Sequence, residues 1–233
     1  MLPIRAEVRT RRYPLVTRLI VLVNIAVFIT QIGLPPAELQ RLFHSLGVVP
    51  ADYQGLAWLT EPQRWLALLS SQFIHGGWLH ILMNMWILWV FGDHIEDRMG
   101  PLNYLIFYLL CGALAAGMHI WIHPGSSIPI VGASGAISGV LGAYLLLLPA
   151  ARVLVLIPIF FLPLLIYLPA ILYLVLWFVL QFVNATLAVQ MGDAAGVAWW
   201  AHVGGFVAGL ALMPPFAALA GRPEPRRRDE TAW

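Results

Sequence analysis

The chain has 233 residues, of which 61% are hydrophobic and only 10% are charged; its mean hydropathy is +0.82 and its formal net charge is +2. A soluble domain with a single core cannot hide that much apolar surface from water, so this composition indicates a membrane protein. The basic clusters flank apolar segments and have no interleaved aromatic residues, so nothing indicates nucleic-acid binding.

A membrane helix needs roughly 20 mainly apolar residues to cross ~30 Å of hydrocarbon. Six segments fit: residues 14–34, 78–95, 102–122, 132–149, 167–187 and 200–220. The stretch from Arg152 to Leu168 is also apolar, but Pro158 and Pro163 would break a continuous helix. We expect it to be an interfacial lead-in to the fifth span, with a seventh helix as the alternative. The predicted fold is an all-α, polytopic bundle of six transmembrane helices.

The basic residues predict how the chain is oriented. All 13 are arginine, and most lie before the first span or after the last: Arg5, Arg9, Arg11, Arg12, Arg18, Arg222, Arg226, Arg227 and Arg228. The positive-inside rule therefore places both termini in the cytoplasm. We expect a cytoplasmic N-terminal segment at 1–13, a membrane domain at 14–220 and a cytoplasmic tail at 221–233. Arginine without lysine suggests a bacterial origin, hence a multi-pass protein of a bacterial inner membrane.

Four polar residues are predicted at one depth. In this topology the second, fourth and sixth spans all begin at the outer surface. His80 and Asn84 lie in the first two turns of the second span, and Ser134 and His202 begin the fourth and sixth. At 1.5 Å per residue these residues are within roughly 3–10 Å of the outer boundary. Polar groups in hydrocarbon usually face the bundle interior and mark function.

Small residues indicate that the fourth and sixth spans pack closely. They are Gly135, Ser138, Gly139 and Gly142 on the fourth span, and Ala201, Gly205 and Gly209 on the sixth. Ser134 and His202 are then expected to share a hydrogen bond, as a serine nucleophile and its general base require. A dyad is the simplest proposal, because the nearest acid, Asp193, lies in a loop. We expect Ser138 to be a packing residue or to bond back to its own helix.

His80 and Asn84 are four residues apart and share a helical face. Their side chains are candidate donors to the oxyanion that forms when a serine attacks a carbonyl, and the backbone N–H of Ser134 is another. A metal site is the weaker interpretation, since thiolate and carboxylate ligands are missing. Cys111 is expected in the core. The remaining span-boundary histidines are expected to be interfacial: His75, His94, His119 and His123.

Three motifs in this order and on six spans resemble the rhomboid intramembrane serine proteases. They are His80-Ile81-Leu82-Met83-Asn84, Gly132-Ala133-Ser134-Gly135 and Ala201-His202-Val203-Gly204-Gly205-Phe206-Val207-Ala208-Gly209. The entry to the second span at residues 75–80 and its exit at 91–100 also resemble the family. The likeness runs from about residue 14 to 215.

The resemblance implies Ser134 as nucleophile, His202 as general base, and His80 with Asn84 as the oxyanion-stabilising pair. It implies no cofactor and no metal. The substrates would be single-pass membrane proteins, cut near their outer end within or just outside the lipid bilayer. The fifth span with residues 184–200 would form a lateral gate or cap, residues 34–77 a partly embedded outer loop, and Glu96 and Arg98 structural contacts.

Two positions depart from the family pattern. Some members carry a tyrosine one turn after the nucleophile, packed on the histidine ring, where this chain has Ser138. The family's Trp-Arg pair is replaced by Gln63-Arg64-Trp65 with the order reversed. One alternative function is an inactive rhomboid-like protein that binds membrane clients. A channel or transporter is the other, but its polar pathway should reach the cytoplasmic halves of the spans, which are almost wholly apolar.

Overall fold

The computed structural model describes residues 1–159, 162–190 and 198–219. Its helices are α1 (Leu15–Ile32), α2 (Pro36–Leu46), α3 (Pro62–Ser70), α4 (Trp78–Met99), α5 (Pro101–Ile122), α6 (Ser134–Leu147), α7 (Ala170–Gln190) and α8 (Trp199–Leu219). Helices α1 and α4 to α8 coincide with the six predicted spans. The chain is an integral membrane protein built as an all-α bundle, as the sequence predicts; its expected tail at 221–233 is outside the described residues.

The six helices differ in how far they can reach across a bilayer. Within the described residues, four are long and apolar enough to cross it: α1, α5, α7 and α8. Helix α4 passes the same test together with α3, to which it is bent by 83°. Helix α6 has 14 residues, or ~21 Å, and is shorter than the hydrocarbon layer. Its residues from Gly135 to Tyr144 are all buried, so α6 lies in the centre of the bundle.

Glycine contacts bring α6 and α8 together. A Cβ atom at Gly205 would collide with the carbonyl oxygen of Gly135, and one at Gly209 with that of Gly139. Without side chains at these positions the two backbones touch, which is the close approach that small residues allow in membranes. The sequence-based prediction of tight packing between these spans is confirmed, and this packing holds the first turns of α6 and α8 side by side.

At the opposite end of the bundle, Glu96 caps the N-terminus of α1. Its carboxylate accepts hydrogen bonds from the backbone N–H groups of Val16 at 2.8 Å and Thr17 at 2.7 Å, and from the Thr17 hydroxyl at 2.8 Å. The first N–H groups of a helix have no partner within it, so a buried carboxylate there satisfies them. Arg18 also pairs with Asp93 at 3.0 Å. These contacts tie α1 to α4.

The stretch after α6, expected to be an interfacial lead-in with a seventh helix as the alternative, is not a helix but forms two strands. It contains strands β2 (Arg152–Ile159) and β3 (Leu162–Pro169), which pair antiparallel from Arg152 opposite Pro169 to Ile159 opposite Leu162. Strand β1 (Leu2–Ala6) adds to β2, giving the order β1-β2-β3. The recurring prolines disfavour a helix but are tolerated at sheet edges. The predicted N-terminal segment 1–13 thus contributes a strand that the sequence did not reveal.

The loop between α1 and α4 is compact. Besides α2 and α3 it contains short 3-10 helices at Pro50–Tyr53, Ala57–Thr60 and Ser71–Phe73. Arg64, in the reversed motif, pairs with both Asp52 and Glu61, and its carbonyl oxygen accepts the Tyr53 hydroxyl at 2.7 Å. Burial raises the pKa of Tyr53 to about 12, so this phenol stays neutral. The departure at residues 63–65 is therefore accommodated by ion pairs within the loop.

Candidate active site

Ser134 and His202 meet where α6 and α8 begin. Ser134 is the first residue of α6, and His202 lies in the first turn of α8. The Oγ of Ser134 is 2.9 Å from the Nε2 of His202. The hydrogen bond expected from the sequence is present, and it follows from the glycine contacts that bring the two helices together.

The other ring nitrogen of His202 has a partner that the sequence analysis missed. Its Nδ1 lies 2.8 Å from the Oε1 of Gln181 on α7. The ring also meets Trp177, one turn earlier on α7, with centroids 6.5 Å apart, and Trp199 on its own helix at 5.8 Å. Gln181 interrupts an otherwise apolar stretch of the fifth span, and such an intramembrane amide is itself a functional signal. Asp193 lies outside the described residues.

Ser138 does not contact the histidine. Its hydroxyl donates to the carbonyl oxygen of Ser134 at 2.7 Å, a bond from one turn of α6 to the preceding one. The expectation that Ser138 bonds back to its own helix is confirmed. In place of such a tyrosine, α7 contacts the His202 ring through Gln181 and Trp177.

His80 and Asn84 face the same spot beside Ser134. A Cβ atom at Gly132 would lie 2.6 Å from the Nε2 of His80 and 3.6 Å from the Nδ2 of Asn84, so both nitrogens converge two residues before the serine. The backbone N–H of Gly76 donates to the Nδ1 of His80 at 3.4 Å, which leaves Nε2 as the protonated nitrogen. The Nδ2 of Asn84 is buried without a hydrogen-bond partner among the described residues.

Gly132 makes this convergence possible. Its φ is +120°, a conformation that favours glycine. Its N–H donates to the carbonyl oxygen of Ser71 at 2.8 Å, which joins the segment before α6 to the outer loop. A side chain at this position would push on the ring of His80. The backbone before Ser134 therefore forms a wall of the site.

Three histidines predicted to be interfacial are buried instead. His75, His94 and His119 have exposed fractions of 1%, 8% and 6%. Gln31 holds the backbone of His75 by accepting its N–H at 3.1 Å and donating to its carbonyl oxygen at 3.0 Å. The prediction was wrong because proximity to a span end does not distinguish a residue that faces lipid headgroups from one that faces the bundle. Cys111 is buried in the core, as expected.

The site holds two kinds of groups. Ser134 with His202 is a hydroxyl–imidazole pair, and His80 with Asn84 supplies N–H donors beside it. Within the described part of the chain, no group of three or more histidine, cysteine, aspartate or glutamate side chains is placed to hold a metal ion. This arrangement suits chemistry in which a hydroxyl attacks an electrophile and the resulting oxyanion is stabilised by fixed donors.

The chain is therefore a polytopic α-helical membrane protein with a polar site inside its bundle. The starts of three helices bring together a serine, a histidine and two further hydrogen-bond donors. Comparison with known families identifies this class of protein: residues 62–218 match the Rhomboid domain. The chain belongs to the rhomboid family.

Several curated relatives carry rhomboid names. The chain is 32% identical over 93 residues to the yeast (Saccharomyces cerevisiae) "Rhomboid protein 1, mitochondrial", covering 38% of this chain and 27% of that protein. It is 30% identical over 152 residues to the bovine "Presenilin-associated rhomboid-like protein, mitochondrial", covering 61% and 36%. It is 30% identical over 93 residues to the Arabidopsis thaliana "Inactive RHOMBOID-like protein 8", covering 39% and 26%. The matches span about a quarter to a third of these relatives.

Proposed function

We propose that the protein is an intramembrane serine endopeptidase that cleaves single-pass transmembrane proteins near their outer membrane boundary. The observation that carries the proposal is the 2.9 Å contact between Ser134 Oγ and His202 Nε2. A hydroxyl and an imidazole in hydrogen-bond contact inside a membrane bundle are the minimal pair for covalent peptide hydrolysis.

In this proposal His202 removes the proton of the Ser134 hydroxyl as its Oγ attacks the scissile carbonyl carbon. The tetrahedral intermediate then collapses and expels the amine, which takes the same proton from His202. Water then attacks the acyl carbon as His202 takes one of its protons. The second tetrahedral intermediate breaks its bond to Ser134 Oγ, which takes that proton back from His202, and the carboxyl product leaves. No cofactor and no metal take part.

The oxyanion of the intermediate would be held by donors that are already in place. They are Nε2–H of His80, the side-chain amide of Asn84 and the backbone N–H of Ser134. The Nδ2 of Asn84 is buried and lacks a partner among the described residues, which suits a donor whose acceptor arrives with the substrate. Each such donor is worth about 10²–10³ in kcat in serine proteases of other folds.

Substrate would reach the site from the lipid bilayer. Only 22% of the apolar stretch of α7 is buried within the protein, against 39–44% for α1, α5 and α8, so α7 is the most exposed of these four helices. We propose that α7 and the following loop form the lateral gate; residues 191–197 of that loop are outside the described residues. The outer loop exposes Leu56, Trp65 and Leu66, in keeping with partial immersion in lipid.

The orientation of the chain in the bilayer, and the cellular membrane in which it lies, are also part of the proposal. The arginine clusters favour cytoplasmic termini and therefore an outward-facing site. The comparisons do not support the bacterial inner membrane expected from arginine usage, since the yeast and bovine relatives are named mitochondrial and another, from Arabidopsis thaliana, is named chloroplastic.

An inactive client-binding protein is the second candidate, because one relative at 30% identity is named inactive. The two are separated by reconstituting the purified protein with a panel of single-pass substrates and mapping cut sites by mass spectrometry. We expect cleavage that is abolished by Ser134→Ala and by His202→Ala, and fluorophosphonate labelling that requires both residues. Cleavage that persists unchanged in Ser134→Ala would rule out the proposed enzyme, and client binding without cleavage would support the inactive alternative.

A further inference from the structure

We propose that Gln181 is the positioning residue of the site, the group that sets the orientation and tautomer of His202. Its Oε1 lies 2.8 Å from Nδ1 of the ring, while Ser134 Oγ lies 2.9 Å from Nε2. Serine, histidine and glutamine thus form one hydrogen-bonded chain across α6, α8 and α7. This inference rests on the proposed function, because it assigns how that site's base is held.

The chemistry of an amide oxygen decides which ring nitrogen carries the proton. An amide oxygen is an acceptor only, so the contact at Nδ1 requires a proton there. Nε2 then presents its lone pair to the Ser134 hydroxyl, as a general base must. With the proton on Nε2 instead, the imidazole would donate to Ser134 and be unable to accept its proton. An asparagine amide has the corresponding role in the Cys-His-Asn constellation of other hydrolases.

The other groups described near the His202 ring do not select its tautomer. Ser138, on the turn of α6 after Ser134, directs its hydroxyl to the Ser134 carbonyl oxygen and not to the ring. Trp177 and Trp199 meet the ring as aromatic pairs, at interplanar angles of 35° and 87°. These contacts restrict the tilt of the imidazole but do not select its tautomer. Only a hydrogen bond to a ring nitrogen does that.

Gln181 is also a poor candidate for a purely structural residue. Only 22% of the apolar stretch of α7 is buried within the protein, and Gln181 is half-buried. Its amide makes a bond to a residue of α8 that is 21 positions away in the chain. Thr30 on α1 instead donates to the Val27 carbonyl oxygen at 2.7 Å, within its own helix. Thr30 lies outside the proposed site and gate and therefore provides a control.

The test compares Gln181→Met, Gln181→Glu and Thr30→Ala with the wild-type protein in liposomes containing a single-pass reporter. Methionine keeps the length of the side chain and removes the acceptor, so we expect kcat to fall about 10- to 100-fold, within the range of general acid–base contributions, with KM changed by less than about twofold. Glutamate keeps an acceptor, so it should restore most of kcat and move the acidic limb of the pH–rate profile to higher pH. Thr30→Ala should match the wild type.

A second readout does not depend on turnover. In protein carrying ¹⁵N-labelled histidine, the nitrogen spectrum of His202, assigned with His202→Ala, should report Nδ1–H in the wild type and lose that tautomer in Gln181→Met. A Gln181→Met protein with wild-type kcat and an unchanged tautomer would overturn the role of Gln181. Equal losses in the methionine and glutamate variants would also overturn it. Ser134→Ala in the same assay separates the two claims: if it still cleaves, the proposed protease itself fails.

Discussion

The Ser138 hydroxyl is bonded to the carbonyl oxygen of Ser134 at 2.7 Å, one turn behind it on α6. Ser138 has an exposed fraction of 1%, and a Cβ atom at Gly205 would already lie 3.2 Å from its Cβ. The position that carries an aromatic side chain in some family members is here packed against α8, and support for the His202 ring has moved to α7.

We therefore expect opposite results from two substitutions of Ser138. Ser138→Ala removes only a local bond, so cleavage should stay within about threefold of wild type, since such bonds are worth about 1 kcal/mol or less. Ser138→Tyr overpacks the contact with α8 and should lower stability by about 1–3 kcal/mol or more. Thermal unfolding in detergent and reporter cleavage are the measurements. A tyrosine variant as stable as wild type and more active would show that α6 can still support the ring.

Gly132→Ala is expected to damage the site without replacing any of its proposed chemical groups. The added Cβ would lie 2.6 Å from His80 Nε2, at a residue whose φ is +120°. Either the backbone shifts or the imidazole is displaced, so we expect kcat to fall by at least about tenfold from the loss of one aligned donor. Gly125→Ala, where nothing lies within 4 Å of the added atom, is the control. Equal activity in both variants would contradict the convergence of His80 on this wall.

His80→Ala and Asn84→Ala test the donors directly. Because their N–H groups are expected to bind the oxyanion and not the ground-state peptide, each loss should lower kcat about 10²–10³-fold with little change in KM. Asn103→Ala is a matched control, since that amide donates to the Met99 carbonyl oxygen at 3.1 Å, one turn earlier in the chain. The measurement is kcat and KM of each variant in steady-state cleavage of the reconstituted reporter. A rise in KM with unchanged kcat would assign His80 and Asn84 to substrate binding instead.

Much of the site could be predicted because its signals are local. Polar residues in the first turns of apolar spans, together with glycines on two of them, were enough to place Ser134 beside His202 and to put His80 and Asn84 at the same depth. These residues project from regular helices, whose period fixes which positions share a face.

The parts that sequence did not reveal depend on contacts between distant segments. Gln181 acquires its significance only when α7 lies beside α8, and strand β1 only when Pro3 meets Val155 on β2. The prolines at 152–168 made a helix there the less favoured alternative, yet nothing local indicated the partner strand near the N-terminus. His75 was misplaced for a similar reason, since its burial depends on contacts such as that with Gln31 on α1.

Gly209→Ala should separate α6 from α8. The new Cβ would collide with the carbonyl oxygen of Gly139, and the Cα of Gly139 would lie only 2.7 Å away. Both are backbone atoms that cannot rotate aside, so the helices must move apart, at a cost of about 1–3 kcal/mol or more. Gly117→Ala on α5 adds the same methyl where nothing lies within 4 Å, and its stability should be unchanged or higher by up to about 1 kcal/mol, from helix propensity alone. Thermal unfolding in detergent compares the two. If Gly209→Ala is as stable as Gly117→Ala and labels with fluorophosphonate at the same rate, the contact between α6 and α8 is not what holds Ser134 against His202.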